Sequence, residues 1–146
     1  MNPRHRAIIV DVDGTVADMS NNRRAYEWDK VHLDTPRMDI INLVKMFHPT
    51  HHIIVVSGRD VSCLMATIEW LEKFNVINDD LPHGWSIFMR PHKNYEKDAL
   101  IKKGIYNEYI AQSYKVDYVF DDRDQVVAMW RNDLGLTCLQ VNYGNF

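Results

Sequence analysis

Short apolar runs alternate along the chain with longer segments in which apolar positions recur at helical spacing. Runs of apolar residues, many of them β-branched, predict strands at 7–11, 53–56, 86–89, 116–120 and 137–141. Helical spacing of apolar positions predicts helices at 36–47, 61–74, 95–111 and 124–134. Buried strands that alternate with helices are typical of a parallel sheet. The pattern therefore predicts an α/β fold: a doubly wound, mainly parallel five-stranded sheet with helices on both faces.

Polar residues set several of the element boundaries. Thr35 followed by Pro36 is typical of a helix start, with Thr35 as N-cap and Pro36 in the first turn. Gly135 is typical of a helix end. The stretch 17–35 is rich in Asn, Arg and Asp and is too short for a large second domain. It predicts a small flap after the first strand.

Size and composition indicate one globular domain. The 146 residues suffice for a sizeable core, so we interpret 1–146 as a single domain with the flap inserted at about 17–35. Hydrophobic residues make up 46% and charged residues 25%, which excludes a disordered chain. No apolar run approaches membrane-spanning length and no signal-peptide core is present, so we expect a cytoplasmic protein without a membrane partner. Cys63 and Cys138 are expected to be small core residues.

The net charge of −3 does not favour a large, sequence-independent nucleic-acid surface. Basic residues nevertheless cluster near aromatic ones. The basic positions are Arg23, Arg24, Arg90, Lys93, Lys97, Lys102 and Lys103, with Tyr26, Trp28 and Tyr95 interleaved. Such groups can hold a short single strand by charge and stacking. The alternative is that these basic residues form ordinary solvated faces.

Two carboxylates follow the first predicted strand, in the string Asp11-Val-Asp13-Gly14-Thr15. Residues at i and i+2 share one face of a strand, so Asp11 and Asp13 are expected to lie close together. Crowded like charges are costly to ionise unless a cation or a substrate uses them. The string therefore indicates a chemical site, although a lone Asp-x-Asp is more commonly a solvated turn.

Further polar groups follow the other predicted strands. Ser57, Gly58 and Arg59 follow the second, Arg90 the third, and Asp121 with Asp122 the fourth. In open parallel sheets ligands bind at the carboxyl ends of the strands, so these groups are expected on one rim. A hydroxyl and free backbone donors at Ser57 suit a phosphate oxygen, and an Arg59 fork matches a phosphate. Capping of the next helix is the alternative for Ser57, and Asp60 is the expected cap.

Two pairs of charged residues leave alternatives open. Neighbours on a strand point in opposite directions, so the Asp121 and Asp122 side chains are expected to face different ways, and a solvated turn is the alternative to a chemical site. Asp98 and Lys102 are four residues apart on a predicted helix. Their simplest interpretation is a helix-stabilising ion pair.

These motifs resemble those of the haloacid dehalogenase superfamily of phosphohydrolases. The resemblance implies that Asp11 is the nucleophile, Asp13 the general acid and base, and that Mg²⁺ lies between nucleophile and phosphate. Carboxylates suit these roles, since one can form an acyl phosphate while the other transfers protons. The metal ligands would come from Asp11, Asp13, Asp121 and Asp122, with one of Asp121 and Asp122 binding directly and the other binding through water or holding a nearby base. Phosphate binding is expected from Thr15, Ser57, Gly58 and Arg59, and charge neutralisation from Lys102 with Asp98 as its partner.

Within this superfamily, the chain most resembles the 3′-phosphatase domains of phage polynucleotide kinase-phosphatases. It rests on Asp11 to Ala17, Arg23, Tyr26, 55–59, Lys97-Asp98 with Lys102, 121–131 and, near the end, 140–141 and 144–146. It implies removal of a 3′-terminal phosphate from a DNA or RNA end, expected to be single-stranded, in the host cytoplasm if the protein is phage-encoded. A separate kinase or ligase would be a functional partner, because the chain has no Gly-x-x-x-x-Gly-Lys-Ser/Thr loop.

The same resemblance assigns a site arginine to Arg23, with Arg24 as the alternative. Arg23, Tyr26 and Arg90 are expected to form a channel for the strand end. Two other functions use the same sequence features. A phosphatase of free nucleotides or other small esters would share the catalytic residues, whereas a non-catalytic phosphate-binding module would have no need of Asp13. A His-rich stretch at 48–52 is expected to be an ordinary loop.

Overall fold

The computed structural model describes residues 4–146, and residues 1–3 of the predicted domain lie outside this range. Seven strands are assigned in it: β1 His5–Val10, β2 Ala17–Asp18, β3 Thr35–Pro36, β4 His52–Asp60, β5 Trp85–Arg90, β6 Tyr114–Asp121 and β7 Cys138–Gln140. Four α-helices accompany them: α1 Met38–Lys45, α2 Leu64–Lys73, α3 Asp98–Ile105 and α4 Asp124–Ala128. Five of the strands form one sheet in the order β5-β4-β1-β6-β7, and its paired strands are all parallel.

Alternate residues of β1 face two different cores. Ile8 and Val10 belong to a cluster with residues of α1 and α2. Ala7 and Ile9 belong to a second cluster with residues of α3, α4 and the turn after α4. Both faces of the sheet are thus covered by helices, which explains why the central strands are apolar at nearly every position. The predicted doubly wound five-stranded sheet is confirmed.

Several helices have irregular ends. A 3₁₀ turn, Val61–Cys63, leads into α2, and π-helical turns, Tyr106–Ile110 and Met129–Asp133, continue α3 and α4. Gly135 follows with a positive φ of 66°, a conformation in which glycine avoids a side-chain clash. The helices predicted at 61–74, 95–111 and 124–134 correspond to these composite segments, except that α3 begins at Asp98.

The predicted helix start at Thr35-Pro36 is wrong. Thr35 and Pro36 form β3, which pairs antiparallel with β2, and α1 begins only at Met38. A proline is tolerated in so short an edge strand because its missing N–H removes no essential ladder bond. Between β2 and β3 the chain forms a 3₁₀ helix, Trp28–Leu33. Segment 17–36 therefore forms an excursion after β1, which begins and ends at the paired strands β2 and β3.

The cysteines and the histidines of the stretch 48–52 have structural surroundings, and this stretch precedes or begins β4, at the opposite end of the strand from the polar motifs. Cys63 and Cys138 are buried and free, as predicted. His48 bonds to the carbonyl of Val76, and His51 bonds to Asp117. None of the helices within residues 4–146 is long and apolar enough to cross a membrane.

The chain moves from β1 to β4 on one side and later to β6 on the other. The carboxyl ends of these three neighbouring strands therefore meet at the point where strand order reverses, the usual ligand position in such sheets.

Candidate active site

Asp11 lies directly after β1 and is fixed from several directions. Its backbone N–H donates to Phe120 O at 2.9 Å, which extends the pairing with β6. Its carboxylate accepts from Lys102 Nζ at 2.8 Å and from the Thr15 hydroxyl at 2.9 Å. Burial and the negative charge of Asp121 raise the pKa of Asp11 well above its usual value, and Lys102 acts in the opposite direction.

Lys102 is buried among carboxylates. Its Nζ lies 2.8 Å from Asp11, 2.9 Å from Asp121 and 3.8 Å from Asp98. Burial alone disfavours an ammonium ion, but the charges of Asp11 and Asp121 prevail and raise the pKa of Lys102 well above its usual value. Lys102, one helical turn after Asp98 on α3, thus places a buried cation at the centre of the site.

Asp121 and Asp122 complete a group of three carboxylates. Asp121 Oδ2 accepts from Lys102 and from the indole N–H of Trp130 at 3.1 Å, while its Oδ1 accepts from Asp122 N at 2.8 Å. Burial raises the pKa of Asp122 to about 6, against the lowering effect of its bond with Asp11. Ligand atoms of Asp11, Asp121 and Asp122 all lie within 4.8 Å of one another.

This group fits a hard divalent cation. Three neighbouring carboxylates face a single buried ammonium, so negative charges outnumber positive ones within the group. Oxygen ligands are those that Mg²⁺ prefers. The Asp13 carboxylate, also expected to hold metal, is instead bonded to arginines.

Asp13 belongs to a buried ionic network with Arg23, Arg59 and Asp34. Arg59 donates to both oxygens of Asp13 at 2.8 to 3.2 Å, and Arg23 donates to Asp13 Oδ1 at 3.0 Å. Asp34 joins the two guanidinium groups from behind, at 2.7 and 3.0 Å from Arg23 and 2.6 Å from Arg59. Thr67 accepts a further bond from Arg59 at 3.0 Å. The network holds Asp13 in place while 34% of its side chain stays exposed.

Arg23 and Arg59 were expected to contact the substrate, but in the structure they lie behind Asp13. Both side chains are fully buried, and the acidic partners of both are Asp13 and Asp34. Asp34 follows the 3₁₀ helix in a polar stretch without a motif, so no sequence pattern predicts its place in the site. An indirect clue was available in Arg23 and Arg59. If both arginines are buried beside Asp13, a second anion is needed to balance their charges.

Ser57 and Gly58 lie where β4 becomes irregular. The buried Ser57 hydroxyl accepts from Arg59 N at 3.1 Å, which leaves its own proton for another acceptor. A Cβ at Gly58 would stand 2.0 Å from Asp98 Oδ1, so only glycine permits this approach. The predicted cap is confirmed, because Asp60 accepts from Ser62 N at 2.8 Å.

Gly14 plays a similar part on the other side of the site. Its φ is +81°, and a Cβ there would stand 2.0 Å from Asp122 Oδ2. The turn after Asp13 thus needs glycine both for its backbone conformation and for the space that Asp122 occupies.

A cavity of about 730 Å³ opens in front of these groups. Its floor contains Asp11, Asp13, Asp121 and Asp122, and its walls come from Met19, Ala25, Tyr26, Trp28, Gly58, Asp60, Arg90, 94–98, Arg123, Gln125 and Phe146. Tyr26, on segment 17–36, is 85% exposed. Of the three residues expected to form a channel, Tyr26 and Arg90 line this cavity, whereas Arg23 lies behind Asp13.

The family model of the polynucleotide kinase PNKP phosphatase domain, a haloacid dehalogenase type, matches residues 5–146. The chain belongs to this family. It is therefore a phosphatase domain, a phosphoric monoester hydrolase, and the predicted family is confirmed. Membership favours an enzyme over the non-catalytic phosphate-binding module.

The phosphatase domain also matches individual proteins. It is 42% identical over 130 residues to a putative bifunctional polynucleotide kinase/RNA ligase of Autographa californica nuclear polyhedrosis virus, a match that covers 87% of the chain and 18% of the viral protein. Two structures of the Pnkp1/Rnl/Hen1 complex, one described as an RNA repair complex, contain a chain that superposes with a TM-score of 0.88 at 35% identity. Each superposition covers 98% of the phosphatase domain and 44% or 48% of the other chain.

A more distant structure shares the fold. The class C acid phosphatase from Bacillus anthracis, solved with tungstate bound, superposes with a TM-score of 0.60 at 21% identity, over 86% of the phosphatase domain and 54% of that chain. The domain thus spans less than a fifth of its viral relative and about half of these structural neighbours.

We expect Asp34→Ala to destabilise the phosphatase domain by about 3–5 kcal/mol, because it leaves two buried guanidinium groups without their shared anion. Activity should fall on every phosphate ester, since Arg23 and Arg59 also hold Asp13. Urea unfolding and phosphate release measure the two effects. Asp39→Ala, at an exposed aspartate, serves as control and should change stability by less than about 0.5 kcal/mol. Equal stability of the two variants would contradict the network's role.

Proposed function

We propose that the phosphatase domain is a magnesium-dependent phosphomonoesterase that removes 3′-terminal phosphates from DNA or RNA ends through an aspartyl-phosphate on Asp11. One observation carries the proposal: Asp11 and Asp13 share the floor of an open cavity, in a chain of the polynucleotide kinase phosphatase family. Asp11 is held by Lys102 and Thr15, and Asp13 by two arginines, so each carboxylate has a separate environment suited to a separate role.

In the first step, a carboxylate oxygen of Asp11 forms a bond to phosphorus, and the bond from phosphorus to the 3′ oxygen breaks. Asp13, in its protonated form, donates its proton to the leaving oxygen. In the second step, Asp13 accepts a proton from water as that water attacks phosphorus, which releases phosphate and restores Asp11. The exposed part of the Asp13 side chain gives both the leaving oxygen and the water access.

The other site residues support this chemistry. We assign phosphate binding to Ser57 and Gly58, because the Ser57 proton is unused by the bond to Arg59 N. Thr15 orients Asp11 through its hydroxyl. Lys102 neutralises Asp11 and the phosphate, and Asp98 adjoins Lys102.

Mg²⁺ is the cofactor that these ligands favour. Asp11, Asp121 and Asp122 would hold it, and when bound it supplies charge neutralisation for the phosphate oxygens. The Asp13 carboxylate lies outside this group and is bonded to Arg23 and Arg59.

The substrate assignment rests on the open mouth of the cavity. A volume of about 730 Å³ exceeds what a phosphate needs, and the exposed Tyr26 at its rim offers a surface for a nucleobase. The names of the relatives support nucleic acid ends, since the viral protein is a putative kinase/ligase and Pnkp1 occurs with Rnl and Hen1. We therefore also propose a functional partnership with a kinase or ligase, in the cytoplasm. A phosphatase of free nucleotides or small esters is the second candidate, since the catalytic floor would be identical.

We expect Asp11→Asn to reduce phosphate release to background with the fold intact, because the amide cannot attack phosphorus. Asp13→Asn should slow an alkyl phosphate far more than p-nitrophenyl phosphate, whose leaving group needs no proton. Steady-state rates with both substrates, and circular dichroism of both variants, test this. Substantial activity of Asp11→Asn would exclude the covalent mechanism. Equal losses of Asp13→Asn on the two substrates would make Asp13 structural.

Chelation should abolish activity, and Mg²⁺ should restore it without any need for zinc, because all the proposed ligands are oxygens. The double variant Asp121→Ala/Asp122→Ala should weaken Mg²⁺ binding measured by titration calorimetry. The double variant Asp79→Ala/Asp80→Ala, at exposed aspartates, should bind Mg²⁺ as the wild type does. Activity that survives exhaustive chelation would overturn the metal site.

A substrate comparison tests the polynucleotide proposal. A short 3′-phosphorylated oligonucleotide should have a higher kcat/KM than a 3′-mononucleotide or a 5′-phosphorylated oligonucleotide, with an advantage that declines as salt rises. Tyr26→Ala should erode this advantage, whereas Arg23→Ala should slow all substrates because Arg23 is buried behind Asp13. If free nucleotides are hydrolysed equally well or better across salt concentrations, the small-molecule phosphatase takes its place.

A further inference from the structure

The loop that joins β5 to α3, residues 91–97, forms one wall of the active-site cavity. Its lining residues include Asn94, Tyr95, Glu96 and Lys97. Tyr95 is 89% exposed, so this large aromatic side chain gains little from packing against the domain itself. Its position at the cavity is unexplained by the phosphate chemistry on the floor.

Arg90 fixes this loop from the inside. Its Nε donates to Gly58 O at 2.8 Å, its Nη1 to the carbonyls of Asn94 and Glu96, and its Nη2 to Asp98 at 3.5 Å. The two loop carbonyls flank Tyr95 directly. Four of the five guanidinium donors are thus directed to protein oxygens, which leaves little of Arg90 for a substrate phosphate.

Asp60 holds the same loop near its start. Its carboxylate accepts from Lys93 N at 3.2 Å and from His92 Nδ1 at 2.9 Å. Lys93 has a φ of +58°, a conformation that only a constrained turn maintains in a residue other than glycine. A further bond joins Asn94 N to Pro91 O at 3.1 Å. The loop is therefore preorganised around an exposed aromatic tip.

We propose that Tyr95 is the stacking surface for a nucleobase at the 3′ end of the substrate, and that Arg90 is a positioning residue that holds Tyr95 there. This inference rests on the proposed polynucleotide function. Aromatic rings bind bases of any sequence, because every base has a π face. A preformed loop spares the entropy cost of ordering upon binding, so the exposed ring contributes most of its stacking to affinity.

Tyr95→Ala should lower kcat/KM for a 3′-phosphorylated oligonucleotide by about 5- to 150-fold, the range expected for loss of one stacked base. The loss on p-nitrophenyl phosphate should be much smaller, and Tyr95→Phe should restore the oligonucleotide rate. Tyr143→Ala is the matched control, since Tyr143 is 97% exposed and lies outside this cavity. It should leave both rates unchanged.

Binding gives a readout that does not depend on turnover. In an Asp11→Asn background, a 3′-phosphorylated oligonucleotide with a terminal 2-aminopurine should lose fluorescence on binding, as a stacked base does. The same oligonucleotide should keep its fluorescence with the added Tyr95→Ala change. Equal quenching by both proteins would overturn the stacking assignment.

Arg90→Lys separates positioning from direct phosphate binding, because it keeps the charge but cannot reproduce the separate donor directions of the planar guanidinium group. It should reduce oligonucleotide kcat/KM about as much as Tyr95→Ala, and the double variant should show no further loss once each is normalised to p-nitrophenyl phosphate. In Arg90→Ala, the salt dependence of oligonucleotide binding should keep the wild-type slope. Additive losses, or a slope smaller by about one, would show that Arg90 contacts a phosphate itself.

Different results would contradict the polynucleotide function and the stacking role of Tyr95. If the wild type shows no preference for the oligonucleotide, the polynucleotide function fails. If the wild type shows that preference and Tyr95→Ala retains it in full, the function stands and the stacking role of Tyr95 is wrong.

Discussion

Lys102 brings one positive charge into a region where Asp11 and Asp121 each lie within 3 Å of its Nζ. Burying carboxylates at strand ends is costly, and this ammonium is what makes the arrangement tolerable before any cation or substrate is present. The sheet supplies the carboxylates from β1 and β6, while α3 supplies the lysine from the helical layer. The packing of α3 on the sheet is therefore required for the charge balance of the site.

A second charge balance operates around Asp13. Arg23 and Arg59 face Asp13 on the cavity side and share Asp34 on the other, so two cations and two anions alternate in a buried cluster. Asp34 is also tied to α2, because its carbonyl accepts from the Trp70 indole at 3.0 Å. The acid-base residue is thus fixed by segment 17–36, β4 and α2 together. Its separation from the Lys102 group allows the two carboxylates of one short motif to differ in role.

Sequence patterns predicted what depends on local order along the chain. The strands, the carboxylates at their ends and the Asp98–Lys102 spacing follow from periodicity and a short motif, and the structure brings Asp11, Lys102 and Asp121 together as expected. Long-range partners had no such pattern. Asp34 and Trp130 become part of the site only through the way helices pack, and Arg23 could not be assigned to the cavity or to the interior from residue type. Pro36 was misplaced because its strand partner, Ala17, is distant in sequence.

The ionic cluster around Asp34 also bears on how the domain moves. Segment 17–36 carries Arg23 and Asp34, and any outward swing of this segment would separate Arg59 from Asp34 and withdraw Arg23 from Asp13. Each separation would leave a buried charge without its partner, which is strongly destabilising. A segment held in this way is unsuited to act as a lid that opens in every catalytic cycle. The segment therefore behaves as a fixed wall. Access of a substrate to Asp11 and Asp13 is then set by the width of the cavity mouth that this segment borders.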